Sequence, residues 1–207
     1  MKLLLDILQK VPEFARLMAD LEGGRSPVEV AGLSPVHRAH FAAGLLTRLD
    51  APVVLVCAGE DECVRLAADV TALTGVPVTL IGAREFLFHE GAVASRHWEH
   101  KRLAAFWEMA QGRAPLIAAT VEGLLQRTLP PGELSTHVVE VKANGSYDVT
   151  ELADRLAALG YARCQQVEGV GQFALRGGIL DVFSPDRDQP VRVEFWDRDV
   201  DSMGLFD

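Results

Sequence analysis

Apolar positions in the first part of the chain switch between the helical period and short continuous runs. Leu3–Gln9 and Pro12–Leu21 read as two short amphipathic helices, with Pro12 at a tolerated helix start and Gly23-Gly24 as the stop. Pro27–Ala31 predicts a short strand, followed by a helix from Pro35 to about Leu49. Pro52–Cys57 is a continuous apolar run rich in β-branched residues, the pattern of a strand buried on both faces. Asp61–Leu73 follows as a helix, with Leu66, Val70 and Leu73 at helical spacing and Gly75 at its end. Val76–Ile81 predicts the next strand. Ser95 is placed to cap a long helix to about Gln111, striped by Trp98, Leu103, Phe106 and Trp107. Pro115–Ala119 then predicts a strand and Val121–Gln126 a short helix. Strands alternating with helices in this way call for an open parallel α/β sheet.

The pattern changes at Pro130-Pro131-Gly132. Beyond it come a strand (His137–Val141), a helix (Val149–Leu159), and then strands only: Phe173–Arg176, Ile179–Phe183 after Gly177-Gly178, and Val191–Trp196 after the turn Ser184-Pro185-Asp186. This is an α+β unit with an antiparallel sheet. The expected organisation is two domains, 1–130 and 131–207.

Composition fits that picture. In 207 residues, 49% are hydrophobic and 24% charged, enough to bury a core. The longest apolar stretch, Ala51–Gly59, is too short to cross a bilayer, and Asp6 and Lys10 interrupt any secretory apolar region. Cys57, Cys63 and Cys164 lack metal-type spacing and predict a reduced, cytoplasmic chain. Charge is uneven: residues 1–130 carry 13 Lys/Arg against 15 Asp/Glu, and residues 131–207 carry 7 against 14. So acidic a second half repels phosphate backbones, which predicts little direct nucleic-acid binding there and a protein partner instead.

Few residues offer chemistry. A phosphate-binding loop laid on Gly32–Ala39 fails at every step after Gly32. His37 stands at the second glycine, Arg38 at the lysine and Ala39 at the Mg²⁺-ligating hydroxyl, while Pro35 deletes an amide donor. An ordinary turn into a helix is expected, with no nucleotide bound. His37, His40, His89, His97 and His100 show no metal-type spacing and are expected to be solvated or at core edges. The cysteines are expected to be inert. No serine sits in a nucleophile elbow, and no carboxylate set matches a calcium loop. Phe86 and Phe88, within Arg84–His89, are expected to pack on the sheet.

The second domain carries a patterned surface. If Phe173 and Leu175 point inward, Arg176 faces out. In Val191–Trp196, the side chains of Arg192, Glu194 and Trp196 share the face opposite Val191, Val193 and Phe195. One sheet surface would thus show two arginines, a glutamate and a tryptophan, and arginine and tryptophan are residue types that dominate interface hot spots.

Val167–Phe183, Pro190–Trp196 and Asp201–Asp207 resemble the region shared by the excision-repair protein UvrB and the bacterial transcription-repair coupling factors of the Mfd type. Arg84–Glu90 and Leu124–Arg127 resemble the coupling factors in particular. The resemblance runs from about residue 28 to the last residue. It implies a degenerate P-loop, RecA-like domain 1A over residues 1–130 and a UvrA-binding domain 2 over 131–207. UvrB keeps an intact P-loop and a tyrosine-rich DNA-threading hairpin; here the loop is ruined and Tyr147 and Tyr161 are the only tyrosines. The implied role is a non-catalytic module that recruits UvrA in transcription-coupled repair. The family's UvrA-binding face maps onto Arg176, Arg192 and Trp196, with Glu194 added from the face pattern. Trp196 stands where a phenylalanine is common. The resemblance also implies that the C-terminal part of the parent protein masks this face until stalled RNA polymerase is engaged. ATP, Mg²⁺, RNA polymerase and DNA are expected to engage only motor and polymerase-binding regions that this sequence lacks, as though it were a fragment. The alternatives are a UvrB-type DNA-handling ATPase and a degenerate paralogue serving as a scaffold.

Overall fold

The computed structural model describes residues 2–83 and 97–206, except the side chains of Lys2 and His97. Ser95 and the Arg84–Glu90 segment, with Phe86, Phe88 and His89, lie outside the described residues. The described chain divides into two compact units, 2–83 with 108–126 and 97–107 with 127–206.

The first unit contains α1 (Lys2–Leu8), α2 (Pro12–Glu22), α3 (Pro35–Leu46), β1 (Val53–Cys57), α4 (Glu60–Thr74) and β2 (Thr79–Ile81). After α5 (His97–Ala110), which spans the division, it resumes with β3 (Leu116–Thr120) and α6 (Val121–Leu125). The strands form a parallel sheet in the order β1-β3-β2, with Leu55 opposite Ala118 and Leu80 opposite the same residue from the other side. The core packs Leu5, Ala39, Ala42, Ala43, Val53, Val70 and Leu116, with Leu46, Leu66 and Leu73 against it. Gly44 permits this helix packing: a Cβ there would stand 2.5 Å from Leu8 Cδ2 and 2.9 Å from Phe14 Cζ.

Two expectations change in this unit. Pro27–Ala31 is not a strand; these residues run along the surface, with Val30 exposed, and take no place in the sheet. The run at β1 is not buried on both faces, because Val54 and Val56 are 50% and 57% exposed. The strand order explains why: β3 is central and buried throughout, whereas β1 lies at an edge.

The second unit contains α7 (Pro131–Thr136), α8 (Val149–Ala158), β4 (Ala162–Arg163), β5 (Gln172–Arg176), β6 (Ile179–Phe183), β7 (Val191–Trp196) and β8 (Asp199–Leu205). Asp148 caps α8, accepting from the amides of Thr150 and Glu151. The sheet order is β4-β5-β6-β7-β8, antiparallel except for the β4–β5 pair. Leu152, Ala153 and Leu156 of α8 close one face over Phe173, Leu180, Val193, Phe195 and Val200. His137–Val141 is not a strand: α7 ends just before it, and Val139 and Val141 pack against the core from irregular backbone. The strands β4 and β8 enlarge the sheet beyond the sequence expectation. Residues 97–107, in the first unit by a division at 130, group with the second. There the buried Arg102 guanidinium stacks over Trp98 and Phe106 at 5.5 and 4.8 Å.

Candidate functional site: an arginine–tryptophan face on the second sheet

The outer face of the second sheet is built by alternation. Phe173, Leu180, Val193 and Phe195 fill the α8 side, so Arg176, Asp181, Arg192 and Glu194 lie on the other. Register brings them together. Arg176 stands opposite Ile179 across the β5–β6 turn, Asp181 stands opposite Arg192, and Glu194 stands opposite both Ile179 and Ser202.

The turn sets the register. Gly177 is left-handed at φ +61°, and a Cβ on Gly178 would stand 2.7 Å from the Phe195 carbonyl oxygen. The close approach has a purpose in the sheet, since the Phe195 amide donates to the Gly178 carbonyl at 2.7 Å. A β-bulge between Glu194 and Phe195 follows at this point.

Asp181 organises the face. Its side chain is 2% exposed although it sits on the solvent side of the sheet, because the two arginines cover it. Arg192 donates through Nε to Oδ1 at 2.7 Å and through Nη2 to Oδ2 at 2.8 Å, a two-pronged pair. Arg176 donates through Nη2 to Oδ2 at 2.6 Å. The Arg192 guanidinium also stacks on the Phe206 ring at 4.7 Å. Hydrogen bonding from Arg192 holds the Asp181 carboxyl below the usual carboxylate range, against the cost of its burial, with Arg176 adding to the effect. The Arg192 guanidinium is held correspondingly more basic, chiefly by its bond to Asp181.

Around this pair, Glu194 Oε2 accepts from the Ser202 hydroxyl at 2.9 Å, and Trp196 stands 81% exposed at the end of β7. The four residues singled out in the sequence thus fall on one sheet face, on β5 and β7. Asp181 was missed. Its signal was a lone carboxylate inside the apolar strand Ile179–Phe183, between two arginine-bearing strands.

The Gly32–Ala39 turn is an ordinary helix start. Gly32 is left-handed, and Ser34 caps α3 by accepting from the His37 amide at 3.5 Å. Arg38 donates to Glu62 at 2.6 Å, and Ala39 is packed in the core. His40 Nε2 lies 2.9 Å from the Leu4 carbonyl, and the His37 ring contacts Ser34. The His100 ring is 3.0 Å from where a Cβ on Gly171 would stand. Burial, with a side-chain hydrogen bond to Cys57 that favours the neutral thiol, pushes the Cys63 thiol up to about 12, so it stays protonated near neutral pH. A second polar cluster links Arg198 to Asp148 at 2.9 Å beside Glu151 and Arg155. The bonds from Glu151, Arg198 and Thr150 hold Asp148 below its usual range. Among the described residues, no set of three His, Cys, Asp or Glu side chains could hold a metal, and no helix is long and apolar enough to cross a membrane.

Comparison with known proteins gives a consistent result. The family model of the UvrB interaction domain matches residues 139–207. The chain is 33% identical over 202 residues to a transcription-repair-coupling factor of Myxococcus xanthus, covering 94% of this chain. It is 34% identical over 212 residues to the protein of that name in Mycobacterium tuberculosis, and 29% over 201 residues to that of Bacillus subtilis. In each case the match spans 17% of the relative's length.

Proposed function

Homology to the transcription-repair-coupling factors runs along 94–98% of this chain, and from that relationship we propose that it is a non-catalytic recruiting module for UvrA in transcription-coupled repair. The second unit is the recruiting part, and Arg176, Arg192, Trp196 and Glu194 form its contact face. The observation that carries this reading is the pairing of two guanidiniums at a buried carboxylate beside an 81% exposed tryptophan. Such a surface offers charge-assisted donors around an aromatic anchor, the composition of an interface hot spot.

The first unit is a RecA-like remnant whose nucleotide site is lost. Pairing of Arg38 with Glu62 and burial of Ala39, which has no hydroxyl to ligate Mg²⁺, support that reading over a UvrB-type ATPase. ATP-driven translocation and contacts with RNA polymerase and DNA belong to other parts of the longer coupling factors.

The test is a calorimetric titration of the chain with purified UvrA beside an Arg176→Gln/Arg192→Gln variant. Glutamine removes the charges and at position 192 keeps an amide where Nε bonds Asp181, and folding of the variant is checked by circular dichroism. Saturable binding that weakens at least about tenfold in the folded variant supports the reading. Equal affinities would overturn the residue assignment, and no binding by the wild-type chain would overturn the recruiting function.

A further inference from the structure

We infer that Asp181, together with Phe206, is a positioning residue for partner recognition: it sets the two arginines in a fixed array that meets a carboxylate-bearing protein surface. This rests on the recruiting role of the same face.

The geometry distinguishes the two guanidiniums. Arg192 is held along one edge by two hydrogen bonds to Asp181 and over its face by the Phe206 ring. Arg176 is held by a single bond through Nη2 and is the more exposed, at 52% of its side chain against 37%. Asp181 therefore takes one edge of Arg192 and one nitrogen of Arg176, leaving most of their N–H donors outside that contact. Without that carboxylate, two like charges on adjacent strands would repel and their long side chains would sample many rotamers. A partner would then bear the ordering cost at the moment of binding. With it, the array is assembled beforehand.

The charge balance also selects the partner. Asp181 cancels one of the two arginine charges and Glu194 the other, so the face attracts no diffuse polyanion. Residues 131–207 carry twice as many acidic as basic side chains, which disfavours a phosphate backbone. Directional bonds to a few placed carboxylates are what the array rewards, with Glu194 left to meet a cationic group.

The experiment combines a spectrum of the free chain with a binding cycle. In the free wild-type chain, the Arg192 Nε–H resonance is expected to be resolved and slow to exchange with water, and Asp181→Asn should abolish that protection. Against UvrA, Asp181→Asn should weaken binding about tenfold, and the loss should vanish in the Arg176→Gln/Arg192→Gln background. Phe206→Leu provides a second route if Asp181→Asn fails to fold. It should weaken binding severalfold with the Arg192→Gln background again erasing the effect. A protected Arg192 signal that survives Asp181→Asn, or losses that persist unchanged without the arginines, would overturn the positioning role. If the wild-type chain does not bind UvrA, the recruiting function and the partner named here both fail, while the arginine spectrum still decides whether Asp181 orders the array.

Discussion

At the scale of single residues, the second sheet depends on one carboxylate. Asp181 is charged, almost wholly buried and held below its ordinary range mainly by Arg192. A carboxyl with a depressed folded-state value contributes stability above the unfolded value, near pH 4, and loses it as pH falls through the folded value. The thermal stability advantage of wild type over Asp181→Asn should therefore be full at neutral pH and shrink below about pH 4. Asp148, whose carboxyl is also held low, is common to both proteins and cancels from that difference. A lysine swap should separate the arginines. Arg176 makes one bond and Arg192 two, so Arg192→Lys should lower the melting temperature more than Arg176→Lys, since an ammonium cannot make the two-pronged pair. Equal shifts would mean that the fork geometry contributes nothing. Arg176, Arg192, Glu194 and Trp196 were legible because alternation alone fixes which side of a strand a residue takes. Asp181 was not, because its role depends on which strands become neighbours.

At the scale of elements, the β5–β6 turn governs the site. Gly177 needs a left-handed backbone, and Gly178 lies against the backbone of β7. Gly177→Ala should cost about 1–2 kcal/mol for forcing a side chain into the left-handed region. Gly178→Ala should cost more, because a backbone oxygen at 2.7 Å cannot swing away as a side chain would. Urea denaturation of the two variants checks the order. Strong periods and turn residues made α2, α4, α8 and strands β5 to β7 readable from sequence. The elements that were not readable are instructive. Val28 and Val30 look strand-forming, yet a strand needs a neighbour, and that surface segment has none among the described residues. The exposed faces of Val54 and Val56 follow from an edge position that composition does not encode. The charged residues Asp197, Asp199 and Asp201 hid the full length of β8 from an apolar pattern.

At the scale of the whole molecule, the described chain forms two compact units, and the second carries the arginine–tryptophan face; in the proposed function the first is the remnant of a nucleotide-binding fold. The first unit should retain no ATP in equilibrium dialysis at millimolar nucleotide, with or without Mg²⁺. Stoichiometric ATP would contradict the loss of the site at Arg38 and Ala39 and favour a UvrB-like ATPase. In the proposed function, the outer face of the second unit's sheet is what UvrA grips. Trp196 tests it most directly, because at 81% exposure its side chain does little for the fold. The decisive measurement is a UvrA titration of Trp196→Ala, with its thermal melt recorded alongside. An unchanged melt and an affinity at least about tenfold weaker are expected, as for an interface anchor. An unchanged melt with undiminished affinity would contradict that role.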